Sequence, residues 1–113
     1  MDDSHLYLIW TSGDPLTAEH MVLMYATNSL LHHWWKQVTV IVWGSASRLL
    51  AEDERVQKRV RLAQQAGVEF TACSACADTL GIREQLEALD VVVTPWGQSL
   101  TELLQNQAQV LSV

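Results

Sequence analysis

Two cysteines stand three residues apart in Cys73-Ser74-Ala75-Cys76, and the 113-residue chain has no others. Four chemistries are open to thiols at that spacing: inert core packing, half of a zinc site, a disulfide-forming dithiol, or a nucleophile. Zinc needs two further ligands, and His5, His20, His32 and His33 show no paired ligand spacing with the cysteines. No metal is expected. A dithiol is chemically sound, since i,i+3 thiols at a helix start can close a disulfide. Thioredoxin-type folds, however, carry that motif early in the chain and after a different strand. A nucleophile is favoured where a strand gives way to a helix, because backbone N–H groups and the helix dipole stabilise a thiolate that can attack or hold a sulfane sulfur.

Other chemistries fail on spacing. There is no G-x-x-x-x-G-K-[ST] loop and no G-x-G-x-x-G fingerprint, so no nucleotide cofactor is expected. A Cys-x5-Arg phosphate loop is absent, because Thr79 stands six residues after Cys73 and Ile82 six after Cys76. A phosphoacceptor would need an Asp where Cys73 stands.

The elements that must hold the thiols are short apolar runs separated by helical patterns. Leu6-Tyr7-Leu8-Ile9-Trp10 is closed by Thr11-Ser12-Gly13-Asp14-Pro15, and a helix follows from about Thr17 to His33. That helix is apolar all round at Met21 to Ala26, which implies burial on more than one side and, in so small a domain, against another subunit. Val38-Thr39-Val40-Ile41-Val42-Trp43 ends at Gly44, with Ser45 or Ser47 as cap of a helix striped by Leu49, Val56, Val60 and Ala63 and stopped by Gly67. Val68-Glu69-Phe70-Thr71-Ala72 runs into the cysteines, and Gly81 splits the helical stretch that follows. Val91 to Thr94, a helix from about Ser99 to Gln107 and a strand near Gln109 to Val113 complete the pattern. The reading is a single domain over residues 1–113, a three-layer α/β/α sandwich on a five-stranded, mainly parallel sheet.

Ligands of open α/β sheets bind at the carboxyl ends of strands. Five tryptophans against one Phe and two Tyr are unusual, and Trp10, Trp43 and Trp96 fall at that edge with Cys73. They wall a cleft there or plug a sheet edge or subunit contact. Trp34 and Trp35 end the first helix, where a subunit contact is expected.

Composition narrows the partners. With 49% apolar and 18% charged residues the chain folds, and 13 acidic against 7 basic residues give a charge of -6. Neither nucleic acid nor anionic membrane is an expected partner. Arg48, Arg55, Lys58, Arg59 and Arg61 lie among Glu52, Asp53 and Glu54 and read as a solvated helix with pairs such as Glu54 to Lys58. The opening Met1-Asp2-Asp3-Ser4-His5 lacks a basic leader, no apolar run nears the ~20 residues of a membrane span, and a cytoplasmic address is expected.

The stretch Thr71-Ala72-Cys73-Ser74-Ala75-Cys76-Ala77-Asp78-Thr79-Leu80-Gly81-Ile82, with the closing Leu100-Thr101-Glu102-Leu103-Leu104 helix, resembles the DsrE/DsrF-like family of small sulfur-relay proteins. The resemblance implies a DsrEFH-like, flavodoxin-like topology, a homotrimer or homohexamer, and a persulfide passed from donor to acceptor proteins on the Cys after the third strand. That position is Cys73 here. Ser74 and Ala75 would offer N–H groups to the sulfur, and Trp10, Trp43, Trp96 and the Thr11-Ser12-Gly13 loop would wall the site. Relay subunits use one Cys in this loop. Cys76 is therefore either a resolving thiol or a buried bystander. A non-catalytic binding or assembly module and a thiol-disulfide oxidoreductase are the alternatives.

Overall fold

Strands of unbroken apolar sequence need cover on both faces, and alternating them with helices supplies it. The computed structural model describes residues 4–113. The acidic opening Met1-Asp2-Asp3, part of the stretch behind the expected address, lies outside the described residues. Strands β1 (His5–Trp10), β2 (Gln37–Val42), β3 (Glu69–Cys73), β4 (Val92–Thr94) and β5 (Gln109–Ser112) form one sheet in the order β4-β3-β2-β1-β5. Every neighbouring pair is parallel. The five-stranded α/β architecture is thus the one expected. Its order differs from the 2-1-3-4-5 of flavodoxin, so that likeness holds for the layers and not for the strand sequence.

Between β1 and β2 the chain is helical in three segments: α1 (Pro15–Thr17), a π-helical segment (Ala18–Leu23) and α2 (Met24–Leu31). Next come α3 (Ser45–Glu52) and α4 (Glu54–Gln65) before β3, α5 (Ser74–Leu80) and α6 (Arg83–Ala88) before β4, and α7 (Gly97–Gln105) before β5. Right-handed crossovers that step from β1 to β4 place all helices but α7 on one face, and the return to the far edge places α7 on the other. The observed core agrees with this. Leu6, Leu8, Trp10, Val38, Val40, Val42, Phe70 and Ala72 pack with Val22, Leu50, Val60 and Leu86 from the helices. Each fully buried leucine among them contributes about 2–3 kcal/mol of transfer free energy. By strand alternation the intervening residues, Thr71 and Cys73 among them, face the α7 side. There Trp96 donates its indole N–H to Thr71 Oγ1 at 2.9 Å.

Local chemistry moves several expected boundaries. The first helix starts at Pro15 because Asp14 caps it, accepting from Thr17 N at 2.9 Å and Thr17 Oγ1 at 2.8 Å. Its outer face is open in the single chain, with Leu16, Met24 and Leu31 exposed. Neither Ser45 nor Ser47 caps α3. Gly44 holds that position at φ 62, and Asp53 interrupts the helix by accepting from Val56 N. Gly67 and Gly81 do end their helices with positive φ.

Arg55 and Arg59 of α4 pair across to the π segment rather than along their own helix. Buried Glu19 accepts from Arg55 at 2.9 and 3.1 Å and from Arg59 at 2.9 Å, binding the first helical layer to the second. The hydrogen bond from Arg55 holds its carboxyl below the ordinary value of 4.5. A carboxylate depressed in this way stabilises fully above that value and loses its contribution as the pH falls below it. Glu19→Gln is therefore expected to lower the thermal midpoint at neutral pH, with the wild-type midpoint converging on the variant's as the pH falls below 4.5 and through the depressed value. Midpoints that run parallel down to acid pH would show that the cluster adds no pH-dependent stability.

Candidate functional site

The parallel sheet brings the ends of β1, β2, β3 and β4 to one edge, and backbone hydrogen bonds fasten the first loops there. Trp43 N donates to Trp10 O at 3.0 Å and Ala46 N to Thr11 O at 3.2 Å. Thr11 N and Ser12 N both donate to Val113 O, as does Thr11 Oγ1. Gly13 passes so close to α3 that a Cβ on it would lie 2.9 Å from Ser45 Cβ. The loop thus fixes the start of α3 in place.

Cys73 ends β3, lies beside Thr94 of β4 and is the N-cap of α5. It is only 4% exposed. Ser74 and Ala75 form the first turn of α5, and Cys76 completes it, half-buried. Cys76 is not buried. It opens into a groove of about 450 Å³ between α3 and α5, lined by Gly44, Ser45, Arg48, Ala75, Cys76, Thr79 and Leu80. The N-cap thiol is thus enclosed while the thiol one turn on is reachable.

No tryptophan lines this groove, and of the three expected to wall Cys73, Trp10 is fully buried in the core. Trp10 shares its strand face with Leu6 and Leu8, so its side chain is sealed in the helix-side core and its indole N–H donates to Ser12 O at 3.0 Å. It supports the loop from below. Trp43 is half-buried after β2. Trp96 lines a separate cavity of about 730 Å³ with Thr39, Glu69, Thr71 and Val92 of the sheet and Arg61, Gln64 and Gln65 of α4. The strand ends share an edge, but alternation sends Trp10 and Cys73 to opposite faces of the sheet. Thr11, Ser12 and Gly13 stand beside α3 and hold it rather than line the groove.

Charge separates the two cavities. The larger one contains Arg61, whose guanidinium is taken up by Asp90 at 2.6 Å, Ala88 O, Leu89 O and Gln64. In the Cys76 groove Arg48 has no hydrogen-bond or ion-pair partner among the described residues. Arg48, expected with the solvated basic cluster, is exposed and stands one turn after Gly44. Among the described residues no group of three or more His, Cys, Asp or Glu could hold a metal.

A family model described as the DsrE/DsrF-like family matches residues 6–113. The chain belongs to the DsrE/DsrF-like family. Membership assigns it to a family of sulfur-relay type, and the Cys73 to Cys76 segment lies inside the match. A solved structure, that of a conserved protein of unknown function from Bacteroides thetaiotaomicron, superposes with a TM-score of 0.95 at 34% identity over 97% of this chain and 95% of that one. A protein of unknown function from Methanobacterium thermoautotrophicum shares the fold at a TM-score of 0.67 and 17% identity, over 96% of this chain and 97% of that one. No curated protein matches the chain.

The burial difference within this DsrE-family segment has a direct chemical readout. Iodoacetamide is expected to modify Cys76 of the native protein at least tenfold faster than Cys73, with the two rates converging in denaturant, as read by peptide mass mapping. Equal native rates would contradict the enclosed and open assignments.

Proposed function

We propose that this protein is a sulfur carrier that receives a sulfane sulfur at Cys76 and holds it as a persulfide on Cys73. The observation that carries the reading is the split in burial across Cys73-Ser74-Ala75-Cys76: one thiol reachable from a groove, the other 4% exposed at the position implied by the family. In the first step the Cys76 thiolate attacks the outer sulfur of a donor persulfide, the donor's S–S bond breaks, and the donor leaves as its thiolate. In the second the Cys73 thiolate attacks that same outer sulfur and Cys76 departs as a thiolate. The proton of each attacking thiol balances the thiolate released, and no oxidant or reductant is consumed. Enclosure of Cys73 suits a holding role, because it shields a reactive persulfide from water and competing thiols.

Donor and acceptor proteins are the proposed partners, and two unpaired thiols suit a reducing cytoplasm. A homotrimer or homohexamer would cover the exposed Leu16, Met24 and Leu31, a state read by sedimentation. No helix among the described residues is long and apolar enough to cross a membrane.

After incubation with a persulfide donor, the wild type is expected to gain the mass of one sulfur. Cys73→Ser should retain none once excess donor is removed, and Cys76→Ser should reach the wild-type endpoint more slowly. An adduct unaffected by Cys73→Ser would overturn the assignment. The burial of Cys73 also favours a second reading, a binding or assembly module with inert thiols, for which neither cysteine gains sulfur. A stable Cys73–Cys76 disulfide turning over with a dithiol substrate would instead favour an oxidoreductase.

A further inference from the structure

The Cys76 groove has a chemical preference that family membership does not supply. From its lining we infer that it is a binding site for a small organic anion carrying a sulfane sulfur, with Arg48 as the residue that selects the charge. The inference rests on the proposal that Cys76 receives sulfur, and adds the class of donor.

Size is the first argument. About 450 Å³ lies within the range of small-molecule sites, roughly 300–1,000 Å³. Composition is the second. Ala75 and Leu80 supply an apolar wall, Ser45 and Thr79 supply hydroxyls, and Arg48 is the one charged side chain in the lining. Its guanidinium is a permanent cation with five N–H donors suited to a carboxylate. The contrast with the other arginines is the third. Arg55, Arg59, Arg61 and Arg83 are all engaged with carboxylates, whereas Arg48 has no partner among the described residues. In a chain of net charge -6 an unneutralised cation beside a thiol is a local reversal of sign, and it draws anions to that spot.

The fitting ligand is a low-molecular-weight persulfide, R–S–SH, whose organic part bears a carboxylate. With the carboxylate on Arg48 and the carbon skeleton on Leu80, the outer sulfur is presented to Cys76. Attack breaks the S–S bond, R–S⁻ leaves and takes up the proton, and Cys76 becomes Cys76–S–SH.

Charge selection is measurable without any sulfur transfer. Iodoacetate and iodoacetamide differ in charge and alkylate the same thiol, so the ratio of their rates at Cys76 reports the field of Arg48. Arg48 is exposed and has no partner among the described residues, so Arg48→Gln should leave the fold intact, checked by the thermal midpoint. The variant is expected to lose about threefold to tenfold of its iodoacetate rate, while its iodoacetamide rate changes by less than twofold, and added salt should shrink the difference. Arg48→Lys should recover much of the loss. A parallel change in both rates, or none, overturns the inference. If sulfur loading from a protein donor persists beside that result, the carrier role stands and the small anion does not. If charge selection is found but neither cysteine ever gains sulfur, the carrier role fails and the anion site remains.

Discussion

Backbone hydrogen bonds at the carboxyl edge of the sheet are the constraint on which the site depends. The loop after β1 is fastened on one side to Val113 O and on the other to Trp43 N and Ala46 N, so its two flanking strands and α3 move with it. Gly13 allows the close approach to Ser45 that a larger residue would push apart. Because α3 is anchored there, Arg48 stands across a fixed gap from Cys76 on α5. The groove is therefore a consequence of how three crossovers are joined rather than of the cysteine segment alone.

Two further features hold that arrangement. Apolar packing of Trp10, Val42, Ala46 and Ala77 into one core joins β1, β2, α3 and α5 beneath the edge. The cluster of Glu19, Arg55 and Arg59 joins the π segment to α4 on the same face. A π-helical turn at such a contact is uncommon in a helix, and here it contains the carboxylate that the arginines share. By contrast α7 has no buried residue and lies on the other face, away from the groove. The chemistry proposed for Cys76 therefore belongs to the more tightly packed side of the molecule.

Much of this was legible in the residues. Runs such as Val38 to Val42 specify a buried parallel strand, Gly67 and Gly81 specify helix ends, and the cysteines at the end of the third strand specify where a site would lie. Faces were harder to read than edges. Trp10 ends its strand beside the candidate site, yet Leu6 and Leu8 on the same alternation already placed it in the core. Arg48 is hard to separate from the other basic residues in sequence, because only Asp53 divides α3 from α4 and leaves Arg48 on its own element. The respective exposure of Cys73 and Cys76 was not legible at all. That of Cys76 depends on the packing of α3 against α5, segments nearly thirty residues apart, that of Cys73 on the cover of the other face, and no local pattern encodes either.

The account turns on a division of labour between two thiols, one open to a groove and one enclosed at the end of a strand. The most direct measurement is a crystal structure of the protein after exposure to a persulfide donor, with excess donor removed. The account predicts density for one additional sulfur beyond Sγ of Cys73 and an unmodified Cys76. Additional sulfur confined to Cys76, or absent from both, would contradict it.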